Sequence, residues 1–178
     1  METEFVTAYI GLGSNIGDRA GNLLLAVRGL IEASFCVKKL SAVYETEPVD
    51  IDCDTTFLNM AAEIEAESIT PTQMMARLLR IEYLLGRTDK SLKKSRTIDL
   101  DLLFYGNEQM NSPFLTLPHP RLHLRNFVLV PLSEIAPGFI HPVLGKDIRT
   151  LLEETPDAAE VRRWRPTEAV DAQMTSTG

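Results

Sequence analysis

The stretch Ser95–Gly106, SRTIDLDLLFYG, decides how the chain folds and raises the question of what it does. Ile98, Leu100, Leu102, Leu103 and Phe104 are residues for a protein interior. Among them stand two carboxylates, Asp99 and Asp101. Aspartate is depleted in strands and is rarely buried without a partner. Side chains two residues apart on a strand point to the same face. Both carboxylates therefore project together, while Ile98, Leu100 and Leu102 turn to the core.

This strand is the last of a series. FVTAYIGLG predicts a first strand over residues 5–12, ended by glycines. GDRAGNLLLAVRGLIEAS predicts a helix capped by Asp18, with Leu23, Val27, Leu30 and Ile31 on one face. CVKKLSAVYETEPV predicts a second strand near 37–46. FLNMAAEIEAE has period two, with Leu58, Met60, Ala62 and Ile64 on one side, and predicts a half-buried third strand. In TPTQMMARLLRIEYLLGR, Thr70 caps a helix, Pro71 takes its first position and Gln73 completes a capping box. Met74, Leu78, Ile81 and Leu85 form its buried stripe, and Gly86 ends it. With the Asp99–Asp101 strand the order becomes β-α-β-β-α-β. That is the ferredoxin-like split βαβ pattern of an α+β protein with an antiparallel sheet. RNFVLVPLSEIAP and DIRTLLEE predict two added C-terminal helices. Residues 1–160 read as one domain, and 161–178 as a polar tail expected to fray.

The 178 residues carry a net charge of −7, which argues against a broad nucleic-acid surface. No apolar run is long enough for a membrane span, and the N-terminus lacks the pattern of a secretory signal. Cys36 and Cys53 match no zinc or redox spacing and read as reduced thiols of a cytoplasmic protein.

Two carboxylates on one strand face repel, and a divalent cation relieves that. Such hard oxygen ligands suit Mg²⁺, whose other ligands are waters and substrate phosphates. On spacing alone, a solvated strand face paired with Arg96 and other basic residues stands level with metal binding. GRTDKSLKKSR places Arg87, Lys90, Lys93, Lys94 and Arg96 just before the aspartates, against Asp89 alone. Cations there fit a metal–polyphosphate complex, although a solvated loop is the ordinary meaning of such a run. GLGSNIG is one residue too long for G-x-G-x-x-G and lacks the end of a P-loop. Its glycines mark a turn or a close backbone approach to a ligand. LPHPRLHLRNFVLVPL gathers His119, Arg121, His123, Arg125 and Phe127, a set suited to anion contact or to a charged surface loop.

AYIGLGSNIGD, VYETEPV, FLN, RIEYLLGR, RTIDLDLLFYG and LPHPRLHLRNFVLVPL, in this order, resemble the 6-hydroxymethyl-7,8-dihydropterin pyrophosphokinase family of folate biosynthesis over roughly residues 7–145. The carboxylate and His/Arg segments together are specific to it. The resemblance implies transfer of the β,γ-pyrophosphoryl group of ATP to the pterin hydroxymethyl group, with release of AMP and use of two Mg²⁺ ions. It implies that Asp99 and Asp101 hold both ions. Glu82 matches a glutamate associated with nucleotide recognition. Arg87, Arg96, His119 and Arg125 match contacts to ATP or its phosphates, the two arginines nearest the aspartates serving catalysis. Thr46, Val49, Phe57, Asn59 and Phe127 match the pterin pocket, the two rings stacking on the pterin and Asn59 reading its amide edge. Outside the resemblance, Phe57 and Phe127 read as core aromatics. The small-molecule substrates imply no nucleic-acid or membrane partner, and the chain is expected to act as a monomer.

The sequence departs from its relatives before the aspartates. KKSR stands where many carry WGPR, so the tryptophan that often closes over the pterin is missing. Asp89 replaces a second arginine, and Glu47 follows Thr46 where some members have proline. These changes fall on loop closure rather than on the reaction. A catalytically silent ferredoxin-like binding domain is the alternative from another class, and a γ-phosphate kinase or nucleotide hydrolase a second one.

Overall fold

A computed structural model describes residues 3–47, 55–86 and 97–166. Alternation along β1 (Phe5–Ser14) buries Ala8, Ile10 and Leu12 on one face and turns Tyr9, Gly11 and Gly13 to the other. α1 (Arg19–Glu32) follows, capped by the Asp18 carboxylate, which accepts from Gly21 N. Its buried stripe is Leu23, Ala26 and Leu30, with Val27 half-buried; Ile31, expected on it, is 59% exposed at the rim of the helix face.

The strand expected near 37–46 is two strands, β2 (Cys36–Leu40) and β3 (Tyr44–Thr46). Ser41 breaks the ladder between them. Its backbone N–H donates to Ala61 O, and its hydroxyl accepts from Ala61 N at 2.8 Å. A side-chain oxygen so placed replaces a regular ladder bond. β4 (Phe57–Glu67) matches its period-two reading, and α2 (Pro71–Leu84) has the Thr70–Gln73 capping box and the buried Met74, Leu78 and Ile81. β5 (Asp99–Tyr105) completes the core.

All pairings in the main sheet are antiparallel, in the order β5-β1-β4-β3, with β2 also on β4. β4 thus lies between β1 and β2, and β1 between β4 and β5, as a split βαβ requires. α1 and α2 cover one face through Ile10, Leu12, Leu58, Ile64, Leu78, Leu100 and their neighbours. A short hairpin, β6 (Met110–Asn111) and β7 (Thr116–Leu117), leads to a 3₁₀ turn at Leu122–Leu124 and then α3 (Asn126–Ile135) and α4 (Ile148–Glu154). α3 and α4 cover only part of the other face, packing Leu129, Leu132, Ile135 and Leu151 with Tyr9, Ala61, Leu103 and Phe104.

The tail expected from residue 161 does not start there. Val161–Arg163 form β8, antiparallel to β3, and Trp164 N donates to Val43 O while its ring packs on the first core. Without β8, β3 would present an unpaired sheet edge. Residues 167–178 lie outside the described residues.

Candidate active site

The second sheet face is divided. One half is the core under α3 and α4. The other half holds Asp99, Asp101, Phe57, Asn59 and Thr46, while Phe127 packs against the core half, and strand register explains the grouping. Asp99 lies opposite Gly13 and Asp101 opposite Gly11; Gly13 lies opposite Asn59 on β4, and Asn59 opposite Tyr44 on β3. Directly opposed residues share a face. Asp99, Asp101, Phe57, Asn59 and Thr46 therefore border one floor, made by β1 where it carries glycine.

That floor explains Gly13. A Cβ on Gly13 would stand 2.8 Å from Asn59 Oδ1, closer than side chains pack, so any larger residue displaces the amide. Asn59 Nδ2 donates to Thr46 Oγ1 at 3.0 Å, and both residues are buried, at 7% and 3% exposure. A buried amide held by one hydroxyl is a preorganised recognition group.

Asp99 and Asp101 are half-buried on the face opposite Ile98, Leu100 and Leu102, as expected. Among the described residues no group of three or more His, Cys, Asp or Glu side chains is arranged to hold a metal ion. Asp99 and Asp101 are hard oxygen donors of the kind Mg²⁺ takes, alongside water and substrate phosphate. The residues fit that ion.

Glu82 sits elsewhere than on this floor. It is 2% exposed on α2, and its Oε1 accepts from Leu100 N at 2.7 Å, between the two aspartates. The resemblance implies a nucleotide contact; the bond seen here is to the backbone of β5. His119 is brought beside β5 by its backbone N–H, which donates to Leu103 O at 3.0 Å. Its Nδ1 accepts from Arg121 N, so the neutral ring carries its proton on Nε2. Beyond it lies a cleft of about 420 Å³ lined by all three histidines of the chain, His119, His123 and His141. Burial lowers the His141 pKa, reinforced by His123 and partly opposed by a backbone hydrogen bond.

Arg125 and Phe127 flank Asn126 at the start of α3, and the Arg125 guanidinium carbon lies 5.5 Å from the centre of the Phe127 ring. Asn126 is tied to a distant segment: its N–H donates to Asp157 Oδ2 and its Nδ2 to the Asp157 carbonyl, both at 2.7 Å. A carboxylate at a helix N-terminus also meets the dipole favourably. Sequence reasoning missed Asp157, since nothing local links it to a helix 31 residues earlier. Val49, Arg87, Arg96 and the lysines at 90, 93 and 94 lie outside the described residues.

Residues 9–137 match the model of the family described as 7,8-dihydro-6-hydroxymethylpterin-pyrophosphokinase (HPPK). The chain is 46% identical over 129 residues to the 2-amino-4-hydroxy-6-hydroxymethyldihydropteridine pyrophosphokinase of Bacillus subtilis (strain 168), covering 72% of this chain and 77% of that protein. It is 34% identical over 148 residues to the enzyme of the same name from Aquifex aeolicus (strain VF5), covering 83% and 91%. Over 149 residues it is 38% identical to the folic acid synthesis protein fol1 of Pneumocystis carinii, covering 84% of this chain and 20% of that longer one. The fold is also that of the Plasmodium falciparum HPPK-DHPS crystal structure with pteroate, at TM-score 0.68 and 16% identity, covering 86% of this chain and 45% of that one. On the family match and these identities, the chain belongs to the 7,8-dihydro-6-hydroxymethylpterin-pyrophosphokinase family.

Proposed function

We propose that the floor bordered by Asp99, Asp101, Asn59 and Phe57 is where this chain carries out its family's reaction. The β,γ-pyrophosphoryl group of ATP passes to the hydroxymethyl oxygen of 6-hydroxymethyl-7,8-dihydropterin, giving the pterin diphosphate and AMP, a step of tetrahydrofolate biosynthesis. The observation that carries this reading is the register itself. It sets a carboxylate pair beside a buried, hydroxyl-held amide on one open sheet face.

Asn59, fixed by Thr46, offers an amide to the edge of a heterocycle. Phe57 on β4 and Phe127 on α3 offer apolar faces for its rings. Arg87, Arg96, His119 and Arg125 supply positive or proton-donating groups for the triphosphate. Phosphoryl transfer asks a protein mainly to position reactants and stabilise charge. Asp99 and Asp101 would hold two Mg²⁺ ions, which when bound neutralise phosphate charge and acidify the alcohol. The hydroxymethyl oxygen attacks the β-phosphorus, the bond from that phosphorus to the α,β-bridging oxygen breaks, and AMP departs. No dedicated side-chain base is needed: the alcohol proton leaves to water as its oxygen bonds to phosphorus. Glu82 holds β5 so that both carboxylates stay aligned.

The test is the identity of the nucleotide product from protein, Mg-ATP and 6-hydroxymethyl-7,8-dihydropterin. AMP and pterin diphosphate in equal amounts are expected. ADP as the main product would mean γ-transfer, and pterin binding without turnover would mean a silent binding domain.

A further inference from the structure

Arg19 is the first residue of α1, a position where the helix dipole disfavours a cation. The cation is retained there by partners from elsewhere. Its Nη1 donates to Thr56 Oγ1 at 2.7 Å and to the Thr56 carbonyl at 3.0 Å, and reaches Glu45 Oε2 at 3.4 Å. The other oxygen of Glu45 takes Arg162 Nη2 of β8, also at 3.4 Å.

These partners occupy particular places. Glu45 precedes Thr46, and Thr56 precedes Phe57. Thr46 and Phe57 are themselves opposed across β3 and β4. One guanidinium thus grips the residues just before two proposed pterin-pocket residues, at the end of the β3–β4 ladder where the chain leaves and re-enters the sheet. Neighbouring Thr55 is tied too, its hydroxyl donating to Asn15 O at 2.7 Å.

We propose that Arg19 is a positioning residue for pterin recognition. This rests on the pocket assignment made above. Arg19 touches no proposed substrate group; it sets where Phe57 sits relative to Thr46 and the Asn59 amide. The ion pair with Glu45 is partly exposed, about a quarter on each side chain, so its Coulomb part is weak. The directional bonds to Thr56 do most of the holding, since hydrogen bonds from a charged donor are the stronger ones.

The experiment uses the full chain, with Arg19→Ala, Arg19→Lys and Thr56→Val. Each is titrated with 6-hydroxymethylpterin in the presence of Mg²⁺ and a non-hydrolysable ATP analogue, and separately with the analogue alone. Thermal unfolding is recorded alongside. Arg19→Ala is expected to weaken pterin binding about tenfold, roughly 1.4 kcal/mol, with analogue binding within about twofold of the parent. Thr56→Val, which removes one acceptor and leaves the carbonyl, should lose less in the same direction, and Arg19→Lys should recover part of the loss. Parent-like pterin affinity in Arg19→Ala overturns the proposal. So does an equal loss for both ligands, which would mark Arg19 as a general stability residue. A parent chain that binds no pterin would overturn the pocket assignment itself, and this inference with it.

Discussion

Glu82 Oε1 accepts a hydrogen bond from Leu100 N at 2.7 Å, so the peptide between Asp99 and Asp101 is held from outside the sheet. Among the described residues β5 is an edge strand, paired with β1 alone. Its outward N–H groups need partners, and at Leu100 the partner is a carboxylate on α2. Glu82→Gln keeps an acceptor there, whereas Glu82→Ala removes this hydrogen bond, worth about 1.5–3 kcal/mol for a charged acceptor. Glu82→Ala should therefore be less stable by that amount and less active than Glu82→Gln, and the Leu100 amide should exchange faster with deuterium. Unchanged Leu100 exchange in Glu82→Ala would show that the carboxylate does not hold the strand.

Asp99→Asn and Asp101→Asn each remove one carboxylate and little volume. Turnover should fall roughly a hundredfold or more, the scale of losing a preorganised electrostatic group. The fold should survive, since each change keeps the side chain's size and polarity. Steady-state rates across a Mg²⁺ series check this. Near-normal turnover with the parent's Mg²⁺ dependence would remove these residues from the metal site.

Phe57 and Phe127 are half-buried and sit on different elements, the start of β4 and the first turn of α3. Stacking on a flat heterocycle is worth about 1–3 kcal/mol per aromatic residue, by analogy with bases. Phe57→Ala and Phe127→Ala should weaken pterin binding by that amount and leave binding of an ATP analogue nearly unchanged. Parallel titrations with the two ligands decide it; equal losses would make both rings core residues.

Much of this site was legible because strand period is local. Asp99 and Asp101 declare a shared face by spacing, as do Leu58, Met60, Ala62 and Ile64, and the Thr70–Gln73 box fixes a helix start. What the sequence hid depends on pairing between distant segments. The split of one expected strand at Ser41 needs the Ala61 backbone opposite it. The tail became strand β8 because β3 offered an edge, and Trp164 a ring for the core. Glu82 reads as a polar residue on a helix until β5 is laid beside it. The only local trace of Arg19's role was a cation at the wrong end of a helix.

His141 is 4% exposed and packs edge-on against Phe104. Its Nδ1 accepts from Val143 N and Leu144 N, both at 3.1 Å, so the folded ring is held neutral with its proton on Nε2. Burial, with His123 at 6.3 Å between ring centres, lowers its pKa below the ordinary 6.5, although a backbone hydrogen bond opposes the shift. The unfolded chain then takes up a proton at a higher pH than the folded one. Stability from this group is present above about pH 6.5 and is lost as pH falls through the lower, folded pKa. His141→Asn keeps an acceptor oxygen for the two backbone N–H groups and removes the titration. Its unfolding temperature should be lower than the parent's at pH 7.5, through lost packing on Phe104. It should decline less between pH 7 and pH 5. Parallel slopes for parent and variant over that window would show that protonation of His141 does not govern acid sensitivity.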